Sequence, residues 1–406
     1  MAGVGRDVHS KAISQFSYYQ NSGNHYLDSA ATTQKPDSVI DAVTQGYRHF
    51  CAPVHRGSYP LSEVASSAYE TARSKVAQFI NASAQQLIFT KSCTESINHV
   101  ALGWAKSKIK PGHKIWISQM EHNANYLPWL QLCKETGAEL KIIEIDSEGH
   151  LQIDQTGLWD DSTFLIALTH CSNILGGETP VQEVCDKARN HGIYTLIDAA
   201  QSVSHIPIDV KALGCDFLAF SAHKMYGPEG IGALYIDAQR QLEMSPLLLG
   251  GGSIESVSEQ QIRLREAPHC FEAGSPNLSG ALGFAAAVDF LQAFPQGAIS
   301  CYVGNLGQQF RQALAKQNNI TLLPVAGGGN TTSVVSFVVE GVHPHDMAQT
   351  AADNDVSIRT GSHCSHLLMS YLKFGAVNRL SLGIYNHSDD IQPLIESINA
   401  AADIFA

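Results

Sequence analysis

Ile193-Tyr194-Thr195-Leu196-Ile197-Asp198-Ala199-Ala200-Gln201 and Asp216-Phe217-Leu218-Ala219-Phe220-Ser221-Ala222-His223-Lys224-Met225-Tyr226-Gly227-Pro228 decide how this chain is read. Each stretch opens on a short apolar run, Ile193–Ile197 after Gly192 and Asp216–Phe220, and both read as buried strands. The first delivers Asp198 at its carboxyl end; the second delivers Ser221, His223 and Lys224. Ligands of parallel α/β sheets sit just beyond such ends. Taken alone, a strand-end aspartate is as readily a helix N-cap, and a lysine is usually a solvated surface group. At successive strand ends they form the pair that pyridoxal 5'-phosphate (PLP) requires. The acid keeps a proton on the pyridine nitrogen, which makes the ring an electron sink, and the amine forms a Schiff base with the aldehyde.

Working outward, strands and helices alternate. Leu61, Val64, Ala65, Ala68, Ala72, Val76 and Phe79 recur at helical spacing and predict a long helix ended near Asn81. Strands are predicted at 87–90, 114–118, 140–145, 164–168 and 231–236, and helices at 94–104 and 180–190. This βαβ rhythm predicts an α/β fold with a mostly parallel, helix-covered sheet. The rhythm changes near residue 292. Beyond it, helices at 301–315, 346–353 and 391–404 and strands at 333–339 and 377–384 predict a smaller α/β domain. The predicted division is 23–291 for the large PLP-binding domain, with 1–22 and 292–406 forming the small one. Gly327-Gly328-Gly329-Asn330 reads as a turn.

The composition suits this picture. The chain has 406 residues, longer than a single core usually grows, with 44% hydrophobic and 16% charged residues. A formal net charge of −12 disfavours nucleic-acid or anionic-membrane binding. No stretch reaches the length of a membrane span, and Met1-Ala2-Gly3-Val4-Gly5-Arg6 lacks the apolar core of a signal peptide. The 9 cysteines are scattered without paired spacing, which argues for a reducing, cytoplasmic home.

Further candidates lie at other strand ends. Thr90-Lys91-Ser92-Cys93-Thr94-Glu95-Ser96 joins a strand to a helix, where hydroxyls and amides can hold a phosphate; Thr94 capping its own helix is the plain alternative. His122, in Glu121-His122-Asn123-Ala124-Asn125, could stack on the ring and relay protons or be structural. Asn173 could bind a ring hydroxyl or a substrate carboxylate, or simply form a turn. Either Arg359 or Arg379 could hold an α-carboxylate in a bidentate fork. Cys364 lies in Gly361-Ser362-His363-Cys364-Ser365-His366, a polar neighbourhood that suits an accessible thiolate, unlike Cys185, Cys215 and Cys301, which read as small core residues. His363-Cys364-x-His366 lacks a second ligand pair at zinc spacing, so no metal is expected.

Taken together, these motifs carry a resemblance. The chain resembles a group II cysteine desulfurase, in the class V aminotransferase branch of the fold-type I PLP enzymes, most of all the cysteine sulfinate desulfinase type. The resemblance runs from Tyr26-Leu27-Asp28-Ser29-Ala30-Ala31-Thr32 through Val54-His55-Arg56-Gly57 and the segments above to Phe271-Glu272-Ala273-Gly274-Ser275-Pro276-Asn277. It implies Lys224 as the cofactor-holding lysine, Asp198 as the pyridinium partner and Gln201 as the donor to the ring's phenolate oxygen. His122 would stack on the ring, and Thr94, Ser221 and His223 would bind phosphate. Ser275, where the family usually has threonine, would reach across from the second subunit of a homodimer. Asn173 and Arg379, supported by Arg359, would contact the substrate carboxylate, and Cys364 would form a persulfide. The implied reaction turns L-cysteine into L-alanine, with cysteine sulfinate and selenocysteine as further substrates. The sulfur would pass to an acceptor protein of unspecified pathway, iron–sulfur cluster assembly or tRNA thiolation among them. Two other readings stay open: another class V PLP lyase, epimerase or aminotransferase with Cys364 a bystander, or a sulfur-relay protein with little turnover without its partner. Three departures stand out. Ala199 and Ala222 replace family glycines, and the segment Cys364-Ser365-His366-Leu367-Leu368 lacks the usual proline, which predicts a looser loop.

Overall fold

The computed structural model describes residues 2–325 and 333–405. The turn expected at Gly327-Gly328-Gly329-Asn330 lies outside the described residues. A short strand β1 (His25–Tyr26) precedes the main sheet, which contains β2 (Leu87–Thr90), β3 (Lys114–Ser118), β4 (Glu139–Ile143), β5 (Thr163–Thr169), β6 (Tyr194–Asp198), β7 (Phe217–Ser221) and β8 (Gly232–Ile236). Its seven strands run in the order β2-β8-β7-β6-β5-β3-β4, all parallel except β8, which is antiparallel to both of its neighbours. The mostly parallel α/β sheet expected from the sequence is what the chain forms.

The central strands are apolar on both faces because both faces are covered. Ile166, Leu168, Ile197, Leu218 and Phe220 join one hydrophobic cluster, and the alternating residues Leu165, Ala167, Leu196, Phe217 and Ala219 join the other. Each such Leu, Ile or Phe contributes about 1.5–3 kcal/mol on burial. The helix Pro60–Phe79 starts with proline at its first turn, as the missing N–H there costs nothing. It packs against the helix Leu278–Gln292, which also packs against the helix Asp37–His49. The helix expected over 94–104 instead divides. An α-helix, Cys93–Asn98, continues as a wider π-helical stretch, His99–Trp104, that buries Trp104 against Phe164, Tyr194 and Phe217.

A hairpin of β9 (Ile254–Val257) and β10 (Ile262–Leu264) projects from the large sheet's region, with Val257 and Ile262 exposed. The C-terminal region folds as a second sheet. Its strands are β11 (Ile320–Leu322), β12 (Val334–Val339), β14 (Arg359–Gly361) and β15 (Val377–Ser381), in the antiparallel order β11-β12-β15-β14, and β13 (Val356–Ser357) pairs in parallel with β1. This last pairing matters for the site. It stitches the N-terminal segment to the second sheet, so that Asp28 bridges to Ser381 beside Arg379.

The two alanines that replace glycine fit without strain. Both are fully buried, and Ala222 faces Gly227, where an added Cβ would come within 2.8 Å of the Ala222 methyl. Gly227 supplies the space that Ala222 fills. Cys185 and Cys215 are core residues as expected, but Cys301 is exposed on the outer face of the helix Ala298–Leu314, which corrects its reading as a core cysteine.

Candidate active site

The carboxyl ends of β2, β3, β5, β6 and β7 open onto one rim, and the loops there enclose a cavity of about 210 Å³. Thr94, His122, Asn173, Asp198, Gln201, Ser221, His223, Lys224, Arg359, Cys364 and Arg379 all line it. Of the residues singled out from the sequence, only Ser275 lies elsewhere, lining a separate cavity of about 410 Å³ with Arg56 and Tyr47.

Asp198 ends β6 almost fully buried, and its Oδ1 accepts from the Ala200 N–H at 2.9 Å and the Cys93 thiol at 3.3 Å. Oδ2 has no donor among the described residues. Lys224 ends the single 3₁₀ turn that follows β7, and no hydrogen bond engages its Nζ among the described residues. Burial lowers the pKa of this amine, with the Asp198 charge acting against it. Ser92 caps the helix Cys93–Asn98 by accepting from the Glu95 N–H, so Thr94 is not the cap and its hydroxyl is left exposed. Ser221 Oγ accepts from the Cys93 N–H at 2.7 Å. Gln201 donates to the Ala30 carbonyl at 2.9 Å, which leaves its second amide hydrogen for a ligand.

His122 caps the turn Asn123–Asn125, its Nδ1 accepting from the Ala124 N–H at 3.1 Å, which places the ring proton on Nε2. Behind it, the buried Glu121 accepts from Ser118 Oγ at 2.5 Å, Asn125 Nδ2 at 2.7 Å and the Thr169 N–H at 2.9 Å, fixing the loop that presents the imidazole. Burial, then the Lys224 charge, lowers His122 to about 4, and the same two causes followed by Lys35 lower His223 to about 4. Both rings are therefore neutral at physiological pH. In the unfolded chain they take a proton near 6.5, and in the fold only near 4, so the unfolded state binds more protons between those values. The cofactor-free protein is expected to lose stability as the pH falls from about 6.5 through about 4, and less steeply in His122→Gln. Thermal melting across this window checks it, and a flat profile contradicts it.

Arg359 on β14 stands directly across from Arg379 on β15. Like charges opposite one another destabilise a sheet unless an anion lies between them. Asp28 partly answers, accepting from Arg379 Nη2 at 2.8 Å, while Nη1 donates to the Asn173 carbonyl at 3.1 Å. Arg379 Nε remains buried without a partner among the described residues. Such an orphaned donor beside a second cation is a seat for a carboxylate.

Cys364 follows His363 on a turn where both residues have left-handed backbones, φ 56° and 50°. Non-glycine residues in this region cost about 1–2 kcal/mol each, so surrounding bonds must hold them. Those bonds are present. Asn173 Nδ2 donates to the His363 carbonyl at 2.9 Å and its Oδ1 accepts from Ser365 Oγ at 2.9 Å, so most of the Asn173 amide is spent on the loop. Asn123 donates its N–H to the Cys364 carbonyl at 2.6 Å, and its side chain pairs with His366 Nδ1 at 2.9 Å. The looser loop expected without proline is instead tied down on both sides.

The model of the family described as aminotransferase class-V matches residues 25–394. The chain belongs to the class V aminotransferase family. A cysteine desulfurase of Shigella flexneri is 42% identical over 376 residues, 92% of either chain, and one of Escherichia coli K12 matches to the same extent. Among solved structures, an E. coli cysteine desulfurase superposes with a TM-score of 0.91 at 32% identity, covering 98% of this chain and 99% of that one. The apo cysteine desulfurase of Thermococcus onnurineus NA1 gives 0.93 at 34% identity, covering 97% and 98%. Enzymes of this class depend on PLP. The residues here fit that group: among the described residues, an amine with no hydrogen bond, a carboxylate oxygen with no donor, and an uncommitted hydroxyl at a helix start. Three contributors escaped the sequence reading. Asp28 and Glu121 sit inside quoted motifs, but Asp28 meets Arg379 and Glu121 meets the Thr169 N–H only in the fold; Cys93, inside the quoted Thr90–Ser96 segment, meets Asp198 only there as well.

Proposed function

We propose that this class V enzyme is a PLP-dependent cysteine desulfurase that converts L-cysteine to L-alanine and holds the sulfur on Cys364 for an acceptor thiol. One observation carries the reading. Cys364 sits on a strained, fully tethered turn at the wall of the cavity that also holds the free Lys224 amine and the facing Arg359 and Arg379. When bound, PLP supplies an electron sink for charge developing at the substrate Cα.

The chain's own residues do the rest. Thr94, Ser221 and the neutral His223 hold the phosphate, Asp198 keeps the ring nitrogen protonated, and Gln201 donates to the ring oxygen. His122 presents its neutral imidazole to the ring. Arg379, with Arg359 beside it, draws the substrate carboxylate into place, and Lys224 Nζ carries the proton removed from Cα. Cys364 Sγ then takes the substrate sulfur: an S–S bond forms as the Cβ–S bond breaks, and Cβ gains a proton. L-cysteine and one thiol become L-alanine and one persulfide, with no outside oxidant. Cysteine sulfinate and selenocysteine extend the substrate range because their leaving groups depart without capture.

Ser275, set apart from the cavity of its own chain, completes the phosphate site of a second copy in a homodimer. The free cysteines fit a reducing, cytoplasmic setting, and no helix among the described residues is long and apolar enough to cross a membrane.

Incubation of the PLP-loaded protein with L-cysteine should release alanine, and none would refute the assignment. Asp198→Asn is expected to lower that turnover by about a hundredfold or more, because an amide cannot hold the pyridinium charge. Near-native rates in a cofactor-saturated variant would remove this role from Asp198.

A further inference from the structure

The cavity holds a second cysteine besides Cys364. Cys93 opens the helix after β2 and is 5% exposed. Its thiol donates to Asp198 Oδ1 at 3.3 Å, and its backbone N–H donates to Ser221 Oγ at 2.7 Å. One residue thus ties together the ends of β6 and β7, the two strands that deliver the cofactor-binding groups. The Ala200 N–H occupies the same carboxylate oxygen at 2.9 Å. Two donors on Oδ1 fix the carboxylate's rotation and leave Oδ2 as its free oxygen.

We propose that Cys93 is a positioning residue, a fixed thiol donor that orients Asp198 toward the cofactor's ring nitrogen and takes no part in sulfur transfer. This rests on the PLP reading above. The chemistry separates the two thiols. Burial, then the Asp198 charge, pushes the Cys93 thiol well above its ordinary range, so it stays protonated and is a donor, not a nucleophile. Cys364 stands on a partly exposed turn, reachable by substrate and acceptor alike.

The alternative is that Cys93 only fills space in the core beside Ile97 and Ile117. Exchanging the donor distinguishes the two. Cys93→Ala removes it, and Cys93→Ser keeps it as a hydroxyl. PLP added to the cofactor-free proteins is expected to bind about tenfold more weakly to the alanine variant than to wild type, since a hydrogen bond to a charged group is lost. The pH midpoint of the bound cofactor's visible absorption should move in the alanine variant and return toward wild type in the serine variant. Melting temperatures of the cofactor-free variants report packing separately. After L-cysteine, peptide mapping should find no added sulfur on the Cys93 peptide. Wild-type affinity and midpoint in Cys93→Ala, or sulfur on Cys93, overturns the proposal. A wild-type protein that develops no visible absorption with PLP overturns the cofactor reading itself, which the variants do not test.

Discussion

Lys224→Ala is expected to lower alanine release from L-cysteine by at least about 10³-fold, the scale of a lost proton-transfer group. Two tasks fall on this amine, holding the cofactor and moving the Cα proton, and among the described residues no other lysine lines the cavity. Its Nζ is unencumbered, and burial lowers its pKa, so a neutral amine is accessible without breaking a bond first. The neutral His122 and His223 cannot substitute. They can exchange protons but cannot capture an aldehyde as a primary amine does. Borohydride reduction followed by peptide mapping should fix PLP to the Lys224 peptide in wild type and nowhere in the variant. Normal alanine release from Lys224→Ala, or cofactor fixed to another lysine, would contradict the assignment.

Cys364→Ala is expected to remove desulfuration of L-cysteine by about 10²-fold or more while sparing much of the activity on selenocysteine and cysteine sulfinate. The asymmetry follows from the leaving group. Sulfur leaving as a formally neutral atom needs a nucleophile to bond with, whereas sulfinate and selenium depart more readily. Because the turn is held by Asn173, Ser365, Asn123 and His366, and not by the Cys364 side chain, the substitution should leave the cavity's other groups in place. Parallel assays on the three substrates check this. Equal loss on all three would mean a structural effect, and full activity on L-cysteine would make Cys364 a bystander.

Much of this site was legible in the sequence for a local reason. Asp198, Ser221, His223 and Lys224 are each delivered by the strand that immediately precedes them, so a short, continuous apolar run ending in a polar cluster announces them. The same holds for Thr94 and His122. What could not be read is set by contacts between distant segments. Asp28 meets Arg379 only because β1 pairs with β13, and Asn173 spends its amide on a turn 190 residues away. The looser Cys364 loop was inferred from one missing proline, a local cue, while the bonds that hold the loop come from Asn123 and Asn173. Cys93 shows the same limit: its neighbours Ser92 and Thr94 suggest a phosphate loop, and only the fold reveals the Asp198 carboxylate against its thiol.

The central claim is that sulfur leaves L-cysteine for Cys364. The most direct measurement is peptide mass spectrometry of the PLP-loaded protein after one turnover with L-cysteine and no acceptor thiol, with alanine quantified in the same sample. One sulfur is expected on the Cys364 peptide for each alanine released, and none on the Cys93 peptide. Alanine released while the Cys364 peptide stays unmodified would contradict it.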